Sequence, residues 1–138
     1  MSQAPIPHNE QQRLAALQAL ELLDTPAETL FDHITALAAQ ICATPIALIS
    51  LIDAERQWFK SRVGLDAEQT ARELAFCAHA VAADAPLEVD NALDDARFRD
   101  NPLVTAAPHI RFYAGMPLHD GQGLAARLQA QLEQLAGE

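Results

Sequence analysis

Cys77 and His79 are the pair in this sequence best suited to chemistry. A thiol beside an imidazole can serve as nucleophile and base, or the two can share a metal. On a helix, residues two apart point about 200° from one another, so the pair would share a target only on extended chain. A zinc site also wants about four ligands, and no C-x-x-C or H-x-x-x-H arrangement occurs. Cys77 therefore reads as a small buried apolar residue, and His79 as a hydrogen-bonding group of a pocket or core. The other cysteine, Cys42, follows the apolar Ile41 and has no resolving-thiol pattern around it. The acidic stretch Asp90-Asn91-Ala92-Leu93-Asp94-Asp95 lacks the alternating oxygen ligands, glycine and distal Glu of a calcium loop, so capping and turns explain it better. No Ser-His-Asp order and no glycine-rich phosphate loop stands out.

The elements that must position such groups centre on Pro45–Gly64, PIALISLIDAERQWFKSRVG. Ile46–Ile52 is an almost wholly apolar, branched run of strand length, suited to a strand covered on both faces. After the polar Asp53-Ala54-Glu55, the period is two. Trp58, Lys60 and Arg62 point one way, and Gln57, Phe59, Ser61 and Val63 the other. This reads as a hairpin whose first strand is central and whose second lies nearer an edge.

Residues 1–8, with Pro5 and Pro7, read as a flexible N-terminal arm ahead of a single domain over 9–138. Asn9 and Gln12 open a helix carrying Leu14, Leu17 and Leu20, which should end near Leu23. Thr25-Pro26-Ala27-Glu28 supplies a cap, a Pro at the first helical position and a capping-box Glu for a second helix. Leu30, Ile34, Leu37 and Ile41 recur at helical spacing, so that helix should turn an apolar stripe to the sheet. Further on, 74–83 reads as a short buried helix, Leu87-Glu88-Val89 as a brief strand and Ala96–Asn101 as one helical turn. Ile110–Leu118 reads as another strand. Leu124, Leu128, Leu132 and Leu135 align on one face of a C-terminal helix, 124–136. The whole describes an α+β domain with an antiparallel sheet.

At 138 residues and 50% hydrophobic, the chain can bury one substantial core. Its 19 acidic against 9 basic residues, a formal charge of −10, argue against nucleic acid and anionic membrane as partners. MSQAPIPHNEQQ has neither a basic nor an apolar signal region, and no apolar run approaches the roughly 20 residues of a membrane helix. A cytoplasmic location, with both cysteines reduced, is expected.

The strings LELLDTPAETLFDHI, PIALISLIDAERQWFKSRVGL, ELAFCAHAV, DARFRDNPLV and HIRFYAGMPL occur in this order. Together they closely resemble a bacterial branch of the GAF domains, small sensory modules often placed ahead of histidine kinases or diguanylate cyclases. The resemblance covers roughly Asn9–Leu118. It implies a central antiparallel sheet with helices on one side, and on the other a small-molecule pocket enclosed by loops and short helices. Carried onto matching positions, the pocket should involve Trp58, Phe59, Cys77, His79, Phe112 and Tyr113. One of each adjacent aromatic pair should face the pocket and the other the helices. No cofactor or metal is implied, and the bilin-carrying arrangement, cysteine directly before histidine, is interrupted here by Ala78. In the family another apolar strand normally follows a segment like Met116-Pro117-Leu118. Here Asp120-Gly121-Gln122-Gly123 leads straight into the leucine-rich end, so the last sheet strand is expected to be missing. Three functions follow as expectations. The first is a non-enzymatic sensory or regulatory domain, binding a small ligand or signalling through a homodimer, with a downstream kinase or cyclase. The second is a degenerate dimerisation module without ligand. The third is a thiol-dependent reductase of free methionine sulfoxide.

Overall fold

In the computed structural model, which describes residues 3–119 and 130–137, the apolar run forms the centre of a six-stranded sheet. β1 (Ile46–Ile52) is buried along its whole length. Ile46, Leu48 and Ile52 enter one core, and Ile49 and Leu51 enter a second core on the opposite face. This two-sided burial is what the unbroken apolar run requires. Beside it runs β2 (Arg56–Val63), closed into a hairpin by Asp53 N–H donating to Arg56 O at 2.8 Å. β3 (Gln69–Ala71) edges the sheet beyond β2. Gly64 ends β2 at φ +78°, and a Cβ there would fall 1.9 Å from Pro45 O, so no other residue fits.

On its other side β1 pairs with β6 (Ala130–Gly137), which pairs in turn with β5 (Ile110–Pro117), and β4 (Leu87–Val89) closes that edge. Every pairing is antiparallel, in the order β3-β2-β1-β6-β5-β4. Two expectations are corrected here. The sheet does not lack its last strand, and 130–136 of the expected C-terminal helix is strand; residues 124–129 lie outside the described residues. Without β6, β1 and β5 would each present a row of unpaired N–H and C=O groups at the middle of the sheet. That demand outweighs helix propensity, which is a weak local preference.

α1 (Glu10–Ala19) and α2 (Thr29–Cys42) cover the second core, where Leu17 and Phe31 meet Ile49, Leu51 and Trp58. α3 (Cys77–Ala83), α4 (Pro102–Thr105) and two 3₁₀ turns cover the first core. α1 stops short of Leu23, and the link to α2 includes left-handed residues at Glu21 and Asp24. Thr25 does not cap α2. Its hydroxyl donates to Leu22 O at 2.5 Å and accepts from Lys60 Nζ at 2.7 Å, and α2 starts after Glu28. The helical turn expected over 96–101 is present, with Asp95 O accepting from Phe98 N–H at 3.0 Å and from Arg99 N–H at 2.9 Å, and α4 follows at Pro102, capped by Asn101 Oδ1 accepting from Leu103 N–H at 2.9 Å. The segment before α1, read as a flexible arm, lies against the domain. Gln3 donates to Glu73, and Ala4 packs on the first core.

The rotation of α2 also departs from expectation. Leu30, Ile34, Leu37 and Ile41 are 69%, 42%, 56% and 72% exposed, so the apolar stripe faces away from the sheet. Phe31, Thr35 and Ala38 face inward instead. The cause lies in β2, whose register slips opposite Ile49/Ser50. The slip turns Ser61 as well as Lys60 toward α2, although strict alternation would oppose them. Ser61 Oγ then donates to Asp32 Oδ1 at 2.6 Å and lies 2.7 Å from Thr35 Oγ. Buried polar groups must be paired, so Asp32 and Thr35 decide which way the helix faces.

Candidate functional site

A pocket of about 140 Å³ opens on the first-core side of the sheet. Its floor is made by side chains two apart on the strands, as pleating dictates: Ile46 and Leu48 from β1, Gln57 and Phe59 from β2. Thr70 of β3 and Ile110 of β5 flank it. Phe76, leading into α3, Leu103 of α4, and Leu65, Ala67, Ala107 and Pro108 from loops close it over. Phe76 is held rigidly, stacked on Phe98 at 4.1 Å and 7° and tilted against Tyr113 at 5.2 Å. The polar part of the wall is a chain of hydrogen bonds running outward from β1. Gln57 Nε2 donates to Ser50 Oγ at 2.9 Å, and Thr70 Oγ1 donates to Gln57 Oε1 at 3.1 Å. Ser50 and Gln57 are buried, so this string fixes Thr70 at the pocket rather than leaving it free in solvent.

Of the six residues expected at the pocket, Phe59 lines it. Tyr113 and Cys77 are fully buried in the same core, Tyr113 supporting the Phe76 ring from behind. His79 sits at a separate cleft with Pro86, Leu87 and Arg97, its ring edge-on to Phe98 at 4.9 Å. Trp58 faces α1 and α2. Phe112 is half-buried, and alternation along β5 sets it opposite Tyr113. Phe59 and Tyr113 therefore share the first core, and Trp58 lies in the second. Gln57, Thr70, Phe76 and Ile110 line the pocket without being among the expected six. Gln57 left a signal, because it shares the inward parity of Phe59 on a half-buried strand. Thr70, in a three-residue strand after a polar stretch, left none.

Two further polar clusters are saturated by their own partners. Lys60 Nζ, buried, contacts Glu28 Oε2 at 2.6 Å and donates to Thr25 Oγ1 and Pro26 O, each at 2.7 Å. At the foot of α1, Glu10 accepts from Arg13 Nε at 2.7 Å and Arg13 Nη2 at 2.9 Å, and it also pairs with Arg72. Arg13 and Arg72 donate as well to the carbonyls of Ile52 and Asp53, at 2.6 and 3.1 Å. Burial would raise the Glu10 carboxyl, but the two guanidinium groups outweigh it and hold the pKa at about 2. Both clusters tie helices to the hairpin. Cys42, exposed at the end of α2, and Cys77, buried at the start of α3, lie on opposite faces of the sheet. Among the described residues no group of three or more His, Cys, Asp or Glu could hold a metal ion, and no helix is long and apolar enough to cross a membrane.

The GAF domain family pattern matches residues 26–134, reaching into β6. A cyclic di-GMP phosphodiesterase of Pseudomonas aeruginosa is 47% identical over 124 residues, which are 90% of this chain and 21% of that protein. The chain thus spans about a fifth of that relative's length. Among solved structures, the GAF domain of a phosphoenolpyruvate-protein phosphotransferase from Coxiella burnetii superposes with a TM-score of 0.63 at 12% identity. That match covers 93% of this chain and 79% of the other. The corresponding Acinetobacter domain gives 0.60 at 15% identity, covering 91% and 77%.

Proposed function

The chain belongs to the GAF family, and from that premise we propose that it is a cytoplasmic sensory module, not an enzyme. It binds a small molecule between the sheet and the α3–α4 layer and passes the event to an output. The observation that carries this reading is the pocket itself: a mostly apolar hollow at the family's expected face, with one anchored polar wall at Gln57 and Thr70. Such pockets suit small-molecule recognition. The identity to a cyclic di-GMP phosphodiesterase supports cyclic di-GMP turnover as the output, in preference to a kinase or cyclase. Burial of Cys77, on the far side of the sheet from Cys42, speaks against a methionine sulfoxide reductase, whose thiols must meet. Thermal-shift screening against metabolites tests the sensory reading. A stabilising compound should lose its effect in Leu103→Trp, which fills the pocket, and an undiminished shift in that variant would overturn the assignment.

A second reading, signalling through a homodimer, is favoured by the outward stripe on α2. Its spacing is four, three, four, with Leu30 and Leu37 alternating with Ile34 and Ile41. Leu at d and Ile at a is the preference of a parallel two-stranded helical seam. A second copy of this chain, packing α2 against α2, would cover it. Sedimentation decides: Ile34→Glu with Leu37→Glu should convert a dimer to a monomer, and a wild-type chain that stays monomeric at high concentration would remove this reading.

A further inference from the structure

We propose that the pocket takes an uncharged, mostly apolar molecule of about one aromatic ring, carrying a single hydrogen-bond donor. This inference rests on reading the pocket as the ligand site and goes beyond it by naming the ligand's class. Charge comes first. No side chain lining the pocket is ionisable. An anion entering it would lose its hydration and meet no counter-charge. Basic groups on and beside the sheet are already engaged, Lys60 with Glu28, Arg56 with Asp24 and Asp53, Arg72 with Glu10, and Arg111 with the carbonyls of Val104 and Ile110. Phosphate esters and amino-acid zwitterions are therefore poor occupants.

Size comes second. A cavity of about 140 Å³ is close to the roughly 150 Å³ apolar cavity that holds one benzene. A nucleotide or a tetrapyrrole does not fit. The lining agrees with this, since Phe59 and Phe76 both border the pocket and Phe76 is held in place by Phe98 and Tyr113. Such rings suit offset or edge-on packing against another ring. The polar requirement comes from Thr70. Its hydroxyl proton goes to Gln57 Oε1, which leaves its oxygen to accept. A ligand O–H or N–H completes the chain Ser50–Gln57–Thr70, and a ligand without one leaves it unextended.

Amide NMR titration of the whole chain with phenol, toluene and sodium benzoate tests this. Phenol should shift the signals of Thr70, Phe76 and Leu103 saturably. Toluene should act on the same signals about five- to tenfold more weakly, for want of one hydrogen bond. Benzoate at equal concentration should leave them in place. Thr70→Val should bring phenol and toluene level while keeping a dispersed spectrum. Benzoate moving these signals while phenol does not would overturn the ligand class and leave the site reading standing. All three probes silent at these residues would overturn both.

Discussion

Glu10 sits between two guanidinium groups that are themselves fastened to the carbonyls at the hairpin turn, so its ionised form belongs to the folded state. Its pKa falls from 4.5 to about 2 on folding. A depressed carboxylate contributes stability that is fully present above the unfolded value and disappears as pH drops through the folded one. Stability should therefore decline between about pH 4.5 and pH 2, with Asp95, lowered by its bond from Arg97, adding in the same direction. Discounting for solvent screening, Glu10 accounts for about 1–2 kcal/mol of that fall. Glu10→Gln should be less stable at pH 7, because Arg13 stays buried without its carboxylate, and its urea midpoint should change less on going from pH 7 to pH 3. An unchanged pH slope would contradict the linkage. The cysteines offer a simpler check on burial. Cys42 should react with a thiol reagent in the native protein, whereas Cys77 should react only on unfolding.

The slip between β1 and β2 has consequences along a whole element. It places Lys60 and Ser61 on one face, and the link from α1 to α2 wraps around the Lys60 ammonium to supply Thr25, Pro26 O and Glu28. Lys60→Met should leave those acceptors without their donor. We expect a loss of about 1–3 kcal/mol in urea unfolding, with faster amide exchange concentrated in residues 22–28. Exchange that rises evenly over the domain would mean that Lys60 supports the core generally rather than this link. The same slip explains why α2 turns Thr35 and Ala38 inward and shows its larger apolar residues to solvent.

Across the molecule, β6 is the strand that joins two halves of the sheet. Within the sheet, the β3-β2-β1 group is joined by strand pairing to the β5-β4 group through β6. Ending the chain at Leu118 should abolish the cooperative unfolding transition and the near-ultraviolet circular dichroism of Tyr113 and Trp58, because each half exposes unpaired backbone and apolar surface. A truncated chain that still unfolds cooperatively would show that the two halves can close on one another.

Local pattern was enough for the hairpin. An apolar run of strand length, a polar turn and a two-residue period admit few alternatives, and β1, β2, β4 and β5 all lie where the residues place them. The α+β class and the opposite sidedness of Trp58 and Phe59 follow from the same periods. Tertiary structure decided the rest, because the deciding partners are distant in sequence. Leu132 and Leu135 carry helical spacing, yet the open edges of β1 and β5 draw that segment into the sheet. Leu30–Ile41 carries an amphipathic stripe, yet the polar groups that a slip in β2 delivers turn it outward. The pocket draws Gln57 and Phe59, Thr70, Phe76 and Ile110 from four separate stretches of chain folded onto one face of the sheet. Periodicity reports which face of its own element a residue occupies, but only packing determines which residues from other elements meet it there.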